Sequence, residues 1–185
     1  MAARTTPPDL PGFTYLGELG SGGFADVFRY LDQFDRRVAV KVQHRGIDGG
    51  VSADFQAEAN LMAKLSSHPS IVTVYQGGVA ADGRPFLVME ECATAHLGAR
   101  IGRRPLTASK AMEITVQVAG AVETAHRMGI LHRDIKPANI LFTGAQRPAL
   151  TDFGISASAQ HVTANSALSP HWAPWEQYPD SGLPM

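Results

Sequence analysis

Between Ile130 and Leu141 the sequence reads I-L-H-R-D-I-K-P-A-N-I-L. An acid (Asp134), two cations (Arg133 and Lys136) and an amide (Asn139) lie within seven residues, bracketed by the apolar pairs Ile130-Leu131 and Ile140-Leu141. Such a pattern holds polar chemistry between two buried anchors, and it is also the pattern of an ordinary charged loop. Two other stretches bear on the choice. G-S-G-G-F at Gly20 to Phe24 has three glycines in four residues, and without Cβ atoms its N–H groups can approach a phosphate closely, although a flexible hairpin turn reads the same way. Lys41 lies near the end of the alternating run R-V-A-V-K-V. Downstream, Phe55, Glu58, Met62 and Leu65 share one helical stripe, so Glu58 is expected on a buried face, where a carboxylate needs a cation. Lys41 is the nearest that a preceding strand could supply.

These groups need elements to hold them. Phe13 to Leu19 and Ala25 to Leu31 read as strands around the glycine-rich tip, and Arg37 to Val42 as a third. Ser52 is a good N-cap for a helix running to about Leu65. Ile71 to Val79 and Pro85 to Glu90 read as two further strands across an Asp82-Gly83 turn. Glu90 to Gly98 reads as a connector into a short helix near Leu97, broken at Gly102 to Pro105. Thr107 caps a long helix to about Met128, with Ala111, Ile114, Val118, Ala121 or Val122, and Ala125 on one face. Ile140 to Thr143 and Ala149 to Thr151 form a short hairpin leading into Asp152-Phe153-Gly154. Residues 155 to 185 are polar, irregular and rich in Ser, Thr, Pro and Trp, as in a surface loop.

Composition bounds the function classes. The 185 residues are 44% hydrophobic, enough for a real core in one domain or two small lobes. With 16 basic and 17 acidic residues and no basic block, the chain has no electrostatic footprint for nucleic acid or an anionic membrane. No apolar run approaches the roughly 20 residues that span a bilayer. The single cysteine, Cys92, and an N-terminus without an apolar signal core point to a reducing cytoplasm. The seven histidines are scattered without metal-site spacing.

In this order, the segments resemble the catalytic domain of a serine/threonine protein kinase of the eukaryotic-like, Hanks type. G-S-G-G-F-A-D-V (Gly20 to Val27) resembles its glycine-rich loop and V-A-V-K (Val38 to Lys41) its strand lysine motif. H-R-D-I-K-P-A-N (His132 to Asn139) resembles the catalytic loop, and D-F-G (Asp152 to Gly154) the metal-binding motif. The resemblance implies an α+β bilobal protein kinase-like fold, with a five-stranded antiparallel N-lobe bearing one helix and a partial helical C-lobe. Residues 1–12 would be a tail, 13–89 the N-lobe, 90–93 the hinge, and 94–185 the partial C-lobe with catalytic loop and activation segment.

The resemblance also implies roles. ATP and Mg2+ would be the cofactors, because phosphoryl transfer depends on positioning and on neutralising the triphosphate. Leu19, Gly20, Ser21, Gly22 and Gly23 would cover the phosphates, and Lys41 would hold the α- and β-phosphates, oriented by Glu58. Asn139 and Asp152 would ligate magnesium. Asp134 would accept or orient the proton of the attacking hydroxyl, with Lys136 neutralising the transferred phosphate and favouring Ser/Thr over Tyr substrates. Met89 would be the gatekeeper, Glu90 and Cys92 would offer backbone to the adenine edge, and Val27, Ala39 and Leu141 would sandwich the ring, or else serve as plain core. Arg133 would be a buried-prone receiver of a phosphorylated loop, with Thr163 and Ser166 as candidate self-modified sites. Protein substrates are the implied partners.

Leu168 to Glu176 aligns with the substrate-docking segment, where Ser169 replaces the usual threonine. Ala25 replaces the third loop glycine, and Pro174 and Trp175 replace the alanine and proline of the A-P-E motif. The family continues with further helices beyond this point, so the resemblance implies an incomplete catalytic domain; the alternative is a nucleotide-binding scaffold with little activity. Small-molecule kinases typically lack the equivalents of Lys136 and of the Pro137-Ala138-Asn139 ending.

Overall fold

The structure is a computed structural model, and it describes residues 6–23, 25–44, 60, 62–92, 95–153 and 171–173. The chain divides into two compact units, Met1–Ser67 with Val72–Ala93, and His68–Ile71 with Thr94–Met185.

The first unit is an antiparallel sheet of β1 (Thr14–Ser21), β2 (Ala25–Leu31), β3 (Arg37–Gln43), β4 (Val74–Val79) and β5 (Pro85–Glu90), in spatial order β1-β2-β3-β5-β4. Because side chains alternate along a strand, register assigns the faces. The rows Phe28↔Val40↔Val88 and Asp26↔Val42↔Phe86 belong to one face, and Val27↔Lys41↔Leu87 and Arg29↔Ala39↔Met89 to the other. On the first face Phe28, Tyr30, Val38, Val40, Val42, Phe86 and Val88 form a continuous core with Ala80 and Leu10.

Within the segment expected as a tail, Leu10 packs into this core. It is buried, Tyr30 Oη donates to Pro8 O at 2.6 Å, and Arg84 Nη2 donates to Thr6 O at 2.7 Å. A strand as apolar as β3 buries both faces, and this N-terminal strap covers one of them.

The strand expected from Ile71 begins only at Val74. Ile71 serves the second unit, where it bridges Leu150 in parallel and Leu150 N donates to Ser70 O at 2.9 Å. The Asp82-Gly83 turn forms as expected, with Arg84 N donating to Asp82 Oδ1 at 3.1 Å and Gly83 at φ +82°. Of the helix expected over Ser52 to Leu65, Asn60 and residues 62–65 are described and helical, with Met62 and Leu65 buried. Its Ser52 cap, Phe55 and Glu58 lie outside the described residues.

The second unit carries α1 (Leu97–Arg103), α2 (Ala108–Arg127), a 3-10 turn (Pro137–Asn139) and the hairpin β6 (Ile140–Phe142) with β7 (Pro148–Leu150). Thr107 Oγ1 accepts from Lys110 N at 3.2 Å, which is the cap its position called for. Along α2, Ile114, Val118, Ala121 and Ala125 are buried, at the spacing of one helical face. Gly129, at φ +73°, ends the helix. Among the described residues no helix is long and apolar enough to cross a membrane.

Candidate active site

In the first unit, the glycine-rich tip is a strand hairpin held by its own backbone. Gly20 faces Val27 and Ser21 faces Asp26 across the β1–β2 ladder, and Gly22 N donates to Ala25 O at 2.9 Å. Leu19 to Gly23 are all exposed, and a Cβ at Gly20 or Gly23 would meet nothing within 4 Å, so a ligand could approach that backbone. Val27, Ala39, Lys41 and Met89 share one sheet face, with Ala39 and Met89 buried and Val27 and Lys41 half-buried. The expected Lys41–Glu58 pair lies outside the described residues, as do Phe24 and Gly154.

The end of β5 is tied down. Glu90 N donates to Thr73 O at 2.9 Å, and Glu90 Oε1 accepts from Thr73 N at 3.0 Å. Burial, reinforced by the neighbouring Glu90 and Glu91 carboxylates, pushes the Cys92 thiol up to about 12.

In the second unit, Asp134, Lys136 and Asn139 converge. Lys136 Nζ is 2.8 Å from Asp134 Oδ2. Asn139 Nδ2 donates to Asp134 O at 2.9 Å and to Asp134 Oδ2 at 3.0 Å. The loop can present these groups together because it turns tightly: Pro137–Asn139 is a 3-10 turn, and Asn139 N donates to Lys136 O at 2.9 Å. Asn139 is buried, while the Asp134 side chain is 34% exposed. The Asn139 amide nitrogen is thus turned to Asp134, and its carbonyl oxygen makes neither of these contacts.

Asp152 is brought to the same loop by backbone, since Thr151 N donates to Asn139 O at 2.9 Å. Arg133 and Asp152 both have left-handed backbone, at φ +62° and +58°. Non-glycine residues in that region cost on the order of 1–3 kcal/mol and concentrate at functional sites.

His132 is the residue that sequence reasoning left without a role. It is buried, its Nε2 lies 2.9 Å from Thr151 O, and Asp134 N donates to its Nδ1 at 3.3 Å. An Nδ1 that accepts leaves the proton on Nε2, which then donates to Thr151 O; the ring is neutral, and burial lowers its pKa below the usual histidine range. Its ring also packs on Phe153, with centroids 4.6 Å apart. His132 thus ties the backbone on one side of Asp134 to the backbone beside Asp152. Its place two residues before an acid was visible in the sequence, but its partners Thr151 and Phe153 are 19 residues or more away.

Two expectations about the loop are corrected. Arg133 is exposed, not buried, because its left-handed backbone swings the side chain out as His132 turns in. Of the apolar anchors, Ile140 is buried in β6 but Leu131 is 53% exposed. Leu141 is half-buried opposite Ala149. Thr163, Ser166, Ser169, Pro174, Trp175 and Glu176 lie outside the described residues.

Among the described residues no cluster of three His, Cys, Asp or Glu could hold a metal unaided. Asn139 and Asp152 carry oxygen donors of the hard kind that suits magnesium.

Comparison with known proteins gives a consistent result. The family model described as "Protein kinase domain" matches residues 13–177. Serine/threonine-protein kinase PknK of Mycobacterium tuberculosis (strain CDC 1551 / Oshkosh) is 46% identical over 164 residues, covering 84% of this chain and 15% of the relative. Serine/threonine-protein kinase PknB of Mycobacterium leprae (strain TN) is 37% identical over 175 residues, covering 89% of this chain and 28% of the relative. The chain therefore spans well under a third of the length of these curated relatives. A crystal structure of Rad53 1-466 in complex with AMP-PNP superposes with a TM-score of 0.67 at 27% identity, covering 78% of this chain and 39% of that one. With the four motifs in order, the Asp134 cluster formed and the family model spanning most of the sequence, the chain belongs to the protein kinase domain family, among the serine/threonine-protein kinases.

Proposed function

We propose that this chain transfers the γ-phosphate of ATP to serine and threonine hydroxyls of proteins, with Asp134 as the catalytic base. The observation that carries the reading is the convergence of two groups on one carboxylate, Lys136 at 2.8 Å and the Asn139 amide at 3.0 Å. Asp134 accepts or orients the proton of the incoming hydroxyl, and the ammonium beside it neutralises the phosphoryl group in flight. Neutral His132, fixed to Thr151, keeps the Asp134 backbone from drifting. The first unit supplies the nucleotide-holding groups: exposed glycine backbone at Gly20 to Gly23, Lys41 for the α- and β-phosphates, and the apolar face of Val27, Ala39 and Met89 for the ring. Glu90 and Cys92 offer their backbone to the adenine edge, and Glu58 orients Lys41. Asn139 and Asp152 would hold magnesium, which when bound supplies charge neutralisation on the phosphates.

Proteins are the substrate class, and the chain itself is one of them, through Thr163 and Ser166. The setting is a reducing cytoplasm, in keeping with the single cysteine. The test is magnesium-dependent transfer of labelled γ-phosphate to the chain and to a generic Ser/Thr substrate. Asp134→Asn keeps the shape of the side chain and is expected to lower transfer by about 10²–10⁴-fold, the range for a lost acid-base group, with nucleotide affinity within about twofold. Transfer that survives Asp134→Asn removes the residue from this role.

A further inference from the structure

The β3–β5 ladder runs as far as the pair Val38↔Glu90. Glu90 stays bound to Thr73 through its own backbone and carboxylate, but Glu91 and Cys92 lie past the last rung, where no sheet ladder holds the peptide. Glu91 is gripped from another strand instead. Arg29 Nε lies 3.0 Å from both Glu91 carboxylate oxygens, and Arg29 Nη2 lies 2.8 Å from Oε1. The Glu91 side chain is only 9% exposed, whereas Arg29 is 36% exposed.

The origin of Arg29 matters. It stands in register with Ala39, which pairs with Met89, so it rises from the same sheet face as Val27, Ala39 and Lys41. A planar guanidinium that reaches both oxygens of a shielded carboxylate fixes orientation as well as distance, which an ammonium does not. A ring recognised by backbone groups needs donors and acceptors held within a few tenths of an ångström, and ordering a loose peptide on binding weakens affinity.

We infer that Arg29 is a positioning residue which, through Glu91, holds residues 90–92 in the conformation that presents their backbone to an adenine ring. The inference rests on the reading of this segment as the adenine-binding hinge. Arg29 touches no substrate in this scheme; it acts through Glu91 alone. The two residues are 62 positions apart, and neither belongs to the motifs that carry the family resemblance.

The test uses the full chain and two probes, adenosine and Mg-ADP, titrated calorimetrically, with the melting temperature of each variant recorded. Arg29→Ala is expected to weaken both probes by the same factor, about fivefold, as for the loss of a charged hydrogen-bonded pair that is partly exposed. Glu91→Gln, which keeps the side chain's size, matches that loss. The double variant is no weaker than either single one, because the two act as a unit. Arg29→Lys restores part of the affinity. A simple structural brace would lower the melting temperature and leave both affinities in place, which overturns the inference. A loss confined to Mg-ADP overturns it as well, because the effect would then lie with the phosphates. Wild-type chain that binds neither probe overturns the adenine reading itself, and the clamp with it.

Discussion

The strap over the first sheet yields the sharpest stability prediction. Leu10 is 3% exposed and packs with Phe28, Tyr30, Val38, Val40, Val42, Phe86 and Val88. Its backbone neighbours are anchored by Tyr30 Oη on Pro8 O and by Arg84 on Thr6 O, so the strap cannot easily close over a void. Leu10→Ala is therefore expected near the middle of the range for buried leucines, about 3 kcal/mol destabilising. For a unit of this size that is a fall in Tm of about 12–24 °C, at about 4–8 °C per kcal/mol. Urea unfolding followed by far-UV circular dichroism gives the value directly: the midpoint should fall with the slope unchanged. Tyr30→Phe removes only the hydroxyl and leaves the Pro8 carbonyl without its partner, for about 1–3 kcal/mol. Because the two changes loosen one strap, the double variant should cost less than their sum. A Leu10→Ala effect under about 0.5 kcal/mol would refute the strap as part of the core.

Two further outcomes follow from buried titratable groups. Burial lowers the folded pKa of His132, so between that value and the ordinary one near 6.5 the unfolded chain binds a proton that the folded chain does not. Stability is then full above about pH 6.5 and falls on acidification by up to about 1.4 kcal/mol per pH unit. Comparing wild type with His132→Gln by urea unfolding at pH 7.5 and pH 5 isolates this slope, and a zero or reversed difference refutes the neutral-ring assignment. The Cys92 thiol, pushed up to about 12, should react with iodoacetamide at pH 7.5 about a thousandfold more slowly than a free cysteine and become reactive on unfolding; fast labelling of the folded chain would refute its burial.

Much of the site was legible because its chemistry is local. Asp134, Lys136 and Asn139 fall within six residues, and the 3-10 turn at Pro137–Asn139 brings them together without help from distant elements. The strands of the first unit were legible from alternation, and the Thr107 cap and the Ile114, Val118, Ala121 and Ala125 face from helical spacing. Legibility ended where a residue's partner is remote. His132 looked like one more scattered histidine until Thr151 and Phe153 met it, and Arg133 looked like a buried cation until the φ of +62° turned it outward. Residues 6–12, with three prolines and little periodicity, read as a tail because the apolar face they cover is built from strands that come later in the chain.

The sequence by itself determined the family, the order of the motifs and the identity of the groups able to do chemistry, since composition at short spacing carries that information. Tertiary structure decided which of those groups are held, and by what. It assigned the Asn139 amide to Asp134, set the His132 tautomer through Thr151, drew Leu10 into the core and clamped Glu91 with Arg29. Each of these contacts joins side chains to partners that only the turn, the sheet register or the packed core brings within reach, and no local pattern encodes a distance across the fold.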